Sequence, residues 1–498
     1  MRLSEAQFAE ELALVRPDLS ARYARALPGA RAAVLARLWR GLLYEPLPGL
    51  TTPGPARVLL AAGREVTGRE RRPYDLGVEP ALWLDGRPHT HPAELLAALD
   101  LPGTDRLVED LDNSVASLAL SRAGASPMPG TSPEDYEQSV VDGHPYHPGC
   151  RNRPGVSVAE QLAYMPEHRP TVRLDLVALR DYQVWGPWPA ALMDGDRLLL
   201  PVHPWQTRHV LRTRPYATGA IPARPLMSVR TLAPLDGGPH LKTAFTTRMT
   251  SGIRDISPGS VRDCVPLSHL LTTVAARCGG GLRIARYLAG ALGEHSADLS
   301  VMLREPTPGI PVAAVTLAMV PDPAAWLAAF ARLALPNALG LLALGVALEA
   351  HGQNLLVELD GSGLPHRLVY RDLADIRISP ARLARHGIEV PPVSPRLLTD
   401  DPEALRAKLF GSLVGTTFGS LIGLFGQGDR TLEAGLWGVV AAAAHRASQS
   451  LPDREALFGE RIPVKAHLLA RLADAPPGDS WTSLPNPLDG EASGPFGG

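Results

Sequence analysis

The spacing of apolar residues changes twice along this chain, and these changes limit the folds that the chain can adopt. Apolar residues recur at helical spacing in segments 5–15, 20–43 and 103–122. Between 134 and 320 short strand-like segments prevail, and after them helical spacing returns. A segment rich in Pro, Gly and Ser, 123–133, separates the first two regions. We therefore predict an α+β chain of several domains: a helical N-terminal region, a central antiparallel β-rich domain and a largely helical C-terminal domain.

The same patterns give the expected domain bounds. The 498 residues are enough for two or three packed domains, and we place these at 1–125, 126–320 and 321–474. Residues 475–498 are rich in Pro, Gly, Ser and Asp and have almost no apolar pattern. We therefore predict that they form a disordered tail.

Three local predictions within these domains are specific. Segment 311–320 is predicted to be a strand. Segments 324–335 and 338–350 are predicted to be two apolar helices that are divided at Pro336. The Leu-Asp-Gly-Gly-Pro turn at 235–239 predicts an antiparallel hairpin over 226–248.

Charge and cysteine content exclude several classes of protein. The 49 basic and 51 acidic residues give a net charge of −2, which indicates neither nucleic acid nor an anionic membrane as a partner. The longest apolar run, 338–348, is about half of the roughly 20 residues that a membrane helix needs. The three cysteines form no CxxC pair, and the N-terminus lacks the pattern of a signal peptide. We expect a cytoplasmic protein without a membrane partner.

Lysine is rare in this chain. Of the 49 basic residues only Lys242, Lys408 and Lys465 are lysines. A lysine that persists among so many arginines is a candidate for a role that needs a compact point charge rather than a planar fork. Chance retention on a solvated surface is the alternative.

Two segments combine cations with hydrogen-bond donors. Segment 143–155 reads GHPYHPGCRNRPG, a cationic loop that suits a polyphosphate or carboxylate, although a surface loop rich in turn formers has the same composition. The predicted hairpin places Lys242, Thr246 and Arg248 on one strand face. Such a face suits an ATP triphosphate, and an exposed strand with ordinary charges is the alternative.

The most specific pattern is a group of polar residues inside apolar sequence. Glu349, His351, Gln353 and Asn354 lie in the segment LEAHGQNLL, and Asp372 follows LVYR. A buried carboxylate is costly unless it is paired or binds a metal, and Mg²⁺ prefers a few oxygen ligands together with phosphate oxygens. We predict an Mg²⁺–ATP site here, with a purely structural polar cluster as the alternative.

Together, segments 143–155, 198–206, 228–254 and 348–372, with the lysine segment 463–472, resemble the NRPS-independent siderophore synthetases of the IucA/IucC family. The resemblance covers some 330 residues. It implies thumb, fingers and palm domains, a homodimer, and ATP bound between fingers and palm. This chain departs from the family at Arg151, where a lysine is usual, and at Val156, where an aromatic residue is commoner.

The resemblance also implies the roles of individual residues. The residues implied to bind ATP are His147, Arg151, Arg153, Ser228, Arg230, Thr231, Lys242, Gln353, Asn354 and Asp372. Mg²⁺ is implied at Glu349, Asn354 and Asp372. A carboxylate substrate, typically citrate, is implied at Thr250, Ser251, Arg254, His351 and Lys465, and the implied catalytic residues are Lys242, Arg254, His351 and Lys465.

The reaction of this family has two steps. A carboxylate attacks the α-phosphorus of ATP to give an acyl-adenylate and pyrophosphate, and an amine or hydroxyl then displaces AMP. Such chemistry needs positioning and charge neutralisation rather than a covalent nucleophile. Two alternatives are a small-molecule kinase and a non-catalytic family member. The kinase reading is disfavoured because Gln353 stands where kinases place a proton-accepting aspartate.

Overall fold

The computed structural model describes residues 4–250, 252–472 and 480–489. The N-terminal part packs four helices around one apolar core, with a small sheet at its edge. The sheet is antiparallel and has the strand order β1-β2-β3-β4-β5. The elements are α1 Ser4–Val15, α2 Ser20–Tyr44, β1 Leu50–Gly54, β2 Arg57–Leu60, β3 Glu65–Thr67, β4 Leu82–Leu84, β5 Arg87–His89, α3 Pro92–Leu99 and α4 Asp105–Gly124.

The central part is built on a nine-stranded sheet in which every neighbouring pair of strands is antiparallel. Its elements are α5 Pro133–Glu137, α6 Val158–Tyr164, β6 Val172–Leu179, β7 Tyr182–Trp185, β8 Met193–Asp194, β9 Arg197–Val202, α7 Pro204–Gln206, β10 Ala217–Pro225, β11 Thr231–Pro234, β12 His240–Thr243, β13 Phe245–Met249, β14 Gly252–Arg254, α8 Pro258–Ala275, β15 Leu282–Ile284, β16 Tyr287–Gly293, β17 Ser300–Arg304 and β18 Ile310–Pro311. The strand order is β7-β16-β17-β12-β11-β10-β6-β9-β8. Strand β12, which carries Lys242, therefore lies inside the sheet.

The C-terminal part is mainly helical. Its elements are α9 Pro323–Leu344, β19 Val346–Ala347, β20 Leu355–Leu359, β21 Pro365–Tyr370, β22 Arg377–Ile378, α10 Pro380–Arg385, α11 Pro402–Phe410, a π-helix Gly411–Phe418, α12 Gly419–Gly426, α13 Arg430–Ala447, α14 Arg454–Leu457, β23 Arg461–Lys465, α15 His467–Leu472 and β24 Trp481–Pro485. The sheet β15-β21-β20-β18 joins this part to the central one. The predicted α+β class and the division into helical, β-rich and helical parts are confirmed.

Among the residues that the structure describes, two helical runs are long and apolar enough to cross a membrane, Pro323–Leu344 and Pro402–Gly426. Inside the protein, 61% and 78% of their most apolar windows are buried. Such burial is typical of core helices, because their apolar faces already have protein partners.

Several local predictions are wrong. Residues 324–344 form the single helix α9, with Pro336 inside it, and the predicted second helix ends six residues early because Gly345 adopts a left-handed cap with φ 119°. The predicted strand 311–320 is strand only at its start and continues as two short 3₁₀ turns. The hairpin predicted over 226–248 is confirmed only between residues 231 and 243, as the antiparallel pair β11–β12.

The predicted disordered tail is also partly wrong. Strand β24 pairs with β23 in antiparallel register from Arg461 opposite Pro485 to Lys465 opposite Trp481. Residues 475–479 and 490–498 lie outside the described residues. The pairing fixes the segment that carries Lys465, because β24 supplies the only strand partner of β23 among the residues described.

A buried carboxylate joins the first and last parts of the chain. Glu45, at the end of α2, accepts the backbone N–H groups of Leu468 (2.7 Å) and Leu469 (2.8 Å) in α15. Burial raises the pKa of Glu45 to about 7, against the opposing effect of these hydrogen bonds and of Arg40.

This pKa predicts a pH dependence of stability. Because the folded-state pKa lies above the ordinary value of 4.5, the contribution of Glu45 to stability is fully present below pH 4.5 and is lost as the pH rises through about 7. Glu45→Gln removes this penalty, so the variant should gain thermal stability relative to the parent at pH 8 but not at pH 4.5. Melting temperatures at the two pH values test this, and an equal difference at both would contradict it.

Candidate functional site

A cleft of about 360 Å³ lies between the central sheet and the C-terminal helices. Fourteen of the sixteen predicted site residues line it, although they come from five separate segments of the chain. The fourteen are His147, Arg151, Arg153, Ser228, Arg230, Lys242, Thr250, Arg254, Glu349, His351, Gln353, Asn354, Asp372 and Lys465. Thr231 is buried behind the wall, where its hydroxyl accepts a hydrogen bond from Ser228 (2.9 Å), and Ser251 lies outside the described residues.

One wall of the cleft carries an ion pair between the sheet and the C-terminal part. Lys242 Nζ lies 2.6 Å from Asp372 Oδ1 and 3.2 Å from the Tyr287 hydroxyl. Burial lowers the pKa of Lys242 to about 8, although Asp372 favours the charged ammonium. Burial likewise opposes ionisation of Asp372, but Lys242 and Arg230 outweigh it and hold the pKa of Asp372 below its usual range.

Two arginines add positive charge beside this pair. Arg230 donates to the backbone carbonyl of Asp255, and Arg254 donates to that of Met249 (3.0 Å). Burial, followed by the nearby charge of Arg230, lowers the pKa of Arg254 to about 10. The two guanidinium groups therefore repel each other in a buried place, where an anion would relieve the repulsion.

The backbone is strained at three places along the cleft. Val229, Thr250 and Asp372 have φ values of 66°, 55° and 69°. Two of them are β-branched, and positive φ is rare for such residues. Strained backbone of this kind collects at ligand sites, where the surrounding structure maintains it.

The second wall carries four charged groups in contact. Glu349 pairs with Lys465, and Lys408 Nζ lies 3.5 Å from Glu349 Oε1 and 3.1 Å from Asp375 Oδ2. Burial opposes ionisation of Glu349, but the two lysines outweigh it and hold its pKa well below 4.5. Burial and the charge of Glu349 raise the pKa of Asp375. All three lysines of the chain thus lie at or directly behind this cleft.

Four histidines line the cleft as neutral hydrogen-bond donors: His144, His147, His351 and His467. In the first three, Nδ1 accepts the backbone N–H two residues further on, so the ring proton of the neutral form is on Nε2. Burial, with nearby cations, lowers the pKa of His147 to about 3 and those of His144 and His467 well below 6.5. Uncharged N–H donors suit the oxygens of an anionic ligand.

The structure places two of the predicted ATP ligands in other contacts. Arg153 is paired with Glu167 (2.7 Å) and also donates to Ser121 and Gln161. Arg151 donates to the backbone carbonyls of 140 and 141. Both arginines therefore fix the 143–155 loop from inside, and these contacts do not favour phosphate binding by either guanidinium group.

The predicted face of Lys242, Thr246 and Arg248 is wrong. Strand β12 ends at Thr243, and β13 leaves the main sheet to pair with β14. Thr246 instead donates to Asp298 Oδ1 (2.5 Å) and accepts from Gln206 (3.0 Å), away from the cleft. Lys242 alone of the three lines the cleft.

Within the described ranges, no three His, Cys, Asp or Glu side chains form a group that could hold a metal by themselves. Glu349 and Asp372 are each neutralised by lysine. Mg²⁺ takes few protein ligands when phosphate oxygens complete its shell. The partly exposed carboxylate of Asp372 fits that requirement better than Glu349, which two lysines already contact.

Arg371 is a residue that sequence reasoning missed. It forms a two-point pair with Glu137, and its Nε donates to the Gln353 carbonyl (3.0 Å). Glu137 in turn accepts the backbone N–H of Met227 (3.1 Å), which precedes Ser228. Arg371 therefore connects the 227–230 loop to the 351–354 loop, on opposite walls of the cleft.

Asp375, Lys408, His144 and His467 were also not assigned. The rarity of lysine had identified Lys408 as a candidate functional residue, but the sequence did not assign it to a site. Nothing local distinguishes Asp375 or His467 in the sequence, because the two lysines beside Asp375 and the two histidines beside His467 lie far along the chain.

Comparison with known proteins gives two family matches in succession. The model described as the IucA / IucC family matches residues 132–321, and the model described as a ferric iron reductase FhuF-like transporter matches residues 324–479. Among curated relatives, staphyloferrin A synthase of Staphylococcus aureus (strain NCTC 8325 / PS 47) is 24% identical over 72% of this chain and 73% of its own length. The D-ornithine–citrate ligase of the same strain is 24% identical over 80% of each chain.

Solved structures share the fold over nearly the whole chain. The petrobactin biosynthesis protein AsbB from Bacillus anthracis str. Sterne has a TM-score of 0.78 at 18% identity, covering 94% of this chain and 98% of that one. ATP-bound aerobactin synthetase IucA from Klebsiella pneumoniae has a TM-score of 0.74 at 18% identity, covering 93% and 99%. Residues 132–321 therefore resemble the IucA / IucC family, and the chain as a whole shares the fold of these solved structures.

Proposed function

We propose that this protein is an ATP-dependent ligase that adenylates a carboxylate and joins the acyl group to an amine, releasing AMP and pyrophosphate. One observation carries the proposal. A single cleft holds two separate cationic places, Lys242 with Arg230 and Arg254 on one wall and Lys465 on the other. Such a cleft can bind two anions, a nucleotide and a carboxylate, close to each other.

The first step needs charge neutralisation. A carboxylate oxygen attacks the α-phosphorus, a new O–P bond forms, and the bond to the β-phosphate breaks to release pyrophosphate. Lys242 and Arg230 would neutralise the leaving pyrophosphate. Mg²⁺, held by Asp372 with Asn354, would supply further neutralisation of the phosphates.

Both cationic places contain an internal ion pair. Lys242 is paired with Asp372, and Lys465 with Glu349. A phosphate or carboxylate of the substrates would compete for each ammonium. The first exchange would leave Asp372 available to a metal, so nucleotide and metal binding would support each other.

The second step forms the amide. The amine nitrogen attacks the acyl carbon, the C–N bond forms, the bond to AMP breaks and the nitrogen loses a proton. The neutral Nε2–H groups of His351 and His147 can donate to the oxygens of the acyl-adenylate without adding charge. No covalent enzyme intermediate is needed.

The relatives named as citrate ligases support citrate, or a citrate derivative, as the carboxylate. Residues 324–479, which match the FhuF-like model, contain no cysteine, so this segment lacks the thiolate ligands that hold iron–sulfur clusters. A homodimer and a cytoplasmic location remain predictions.

Product analysis tests the proposal against the kinase alternative. The purified protein is incubated with ATP, Mg²⁺ and citrate, with and without a panel of polyamines and amino acids. We expect AMP and pyrophosphate in equal amounts, dependent on citrate, and an amide product by mass spectrometry. ADP as the nucleotide product would overturn the proposal, and EDTA should abolish pyrophosphate release if Mg²⁺ takes part.

A further inference from the structure

Lys408 is the one lysine without an assigned place in the proposed reaction. It lies near the end of α11, and its side chain is 1% exposed, so it does not reach the cleft. Its ammonium stands between two carboxylates, 3.1 Å from Asp375 Oδ2 and 3.5 Å from Glu349 Oε1. It therefore supports the wall of the cleft from behind.

Lys465 contacts the same two carboxylates from the other side. Its ammonium pairs with Glu349 and lies 3.9 Å from Asp375 Oδ2, and its side chain is 29% exposed. Arg377 contacts the other Asp375 oxygen at 3.4 Å, and His351 lies 3.9 Å from Glu349. Glu349 and Asp375 thus both contact the ammonium groups of Lys408 and Lys465, of which only Lys465 lines the cleft.

We propose that Lys408 is a positioning residue that supplies the countercharge of Glu349 and Asp375, so that Lys465 is free to bind the carboxylate substrate. The inference rests on the proposed function. When Lys465 turns to the substrate, Glu349 loses its nearest cation. The ammonium of Lys408 still neutralises the buried carboxylate of Glu349. Without Lys408, the unpaired carboxylate would attract Lys465 and compete with the substrate for it.

The residue type fits this role. An ammonium is a compact charge that can lie between two carboxylates, whereas a guanidinium needs a wider, planar space. The chain uses arginine for 46 of its 49 basic residues, yet it has lysine here. The same argument applies to Lys242 and Lys465, the two other lysines of the cleft.

Charge-balanced variants test the inference with citrate as the probe. Lys408→Met keeps the length of the side chain but removes its charge, so the KM for citrate should rise about tenfold or more, while the KM for ATP stays within about twofold. Lys408→Met with Asp375→Asn removes one charge of each sign and should restore most of the citrate KM. A role in packing alone predicts no such recovery.

A matched control separates this effect from loss of stability. Arg382→Met breaks another buried ion pair of the C-terminal part, Arg382 with Asp453 (2.6 Å), which does not line the cleft. It should lower the melting temperature and leave both KM values unchanged. If Lys408→Met does not fold, the double variant is compared with Asp375→Asn alone. The KM for citrate should then be several-fold lower in Asp375→Asn than in the double variant.

The outcomes are distinguishable. An unchanged citrate KM in Lys408→Met, no recovery in the double variant, or equal KM values for the double variant and Asp375→Asn would overturn the role of Lys408. A parent protein that releases no pyrophosphate with any carboxylate would instead count against the proposed function itself.

Discussion

Replacing Lys242 by alanine is expected to lower carboxylate-dependent pyrophosphate release by about a thousandfold, the upper range for loss of one preorganised charge in an active site. Lys242 lies on an internal strand and is only 2% exposed, so the surrounding sheet fixes its position. Its removal also leaves Asp372 without its nearest cation. Both effects weaken the binding of the leaving pyrophosphate.

Two controls accompany this variant. Tyr287→Phe removes a hydroxyl that contacts Lys242 (3.2 Å) but changes no charge, so it should cost only a few-fold in rate. Lys242→Arg keeps the charge in a wider group and should recover only part of the activity. Pyrophosphate release within tenfold of the parent in Lys242→Ala, in a folded protein, would remove this residue from the phosphate site.

The order of helical and β-rich parts could be read from the sequence, because hydrophobic periodicity depends on local contacts with the core. The continuity of α9 through Pro336 could not be read from the sequence. A proline inside a helix removes one hydrogen bond, but α9 buries Trp326, Phe330 and Leu341, and this burial outweighs the loss. Local patterns do not reveal how much apolar surface a helix will bury.

Strand β24 shows the same limit for sheets. Its sequence WTSLP has only a weak apolar alternation, and its stability depends on pairing with β23, some 20 residues earlier. A weak strand becomes ordered when a partner supplies its hydrogen bonds and Leu484 is buried. Composition alone therefore suggested disorder.

The candidate site was more predictable than the details of its walls. Segments whose functional residues are close together in the sequence, such as 349–354, were found because polar residues are conspicuous within apolar sequence. Arg371, beside the predicted Asp372, was missed, since its partner Glu137 is 234 residues away. Arg153 was assigned to ATP because sequence cannot show that Glu167 already binds it.

Removing the charge of Arg371 is expected to have the largest effect on stability. Arg371 and Glu137 are 4% and 2% exposed and paired through two hydrogen bonds. Arg371→Met leaves the Glu137 carboxylate buried without its partner, which should lower the free energy of unfolding by about 3–5 kcal/mol. The KM for ATP should also rise, because Glu137 holds the Met227 backbone beside Ser228.

The double variant Arg371→Met with Glu137→Met should recover much of this stability, because no unpaired charge remains in the core. It should not recover the KM for ATP, since Glu137→Met removes the carboxylate that accepts the backbone N–H of Met227. Arg57→Met is the matched control: its pair with Glu65 is exposed, so the loss should be about 0–1 kcal/mol. Urea unfolding curves and ATP kinetics of the four proteins check these results. Equal losses for Arg371→Met and Arg57→Met would show that the buried pair does not connect the walls of the cleft.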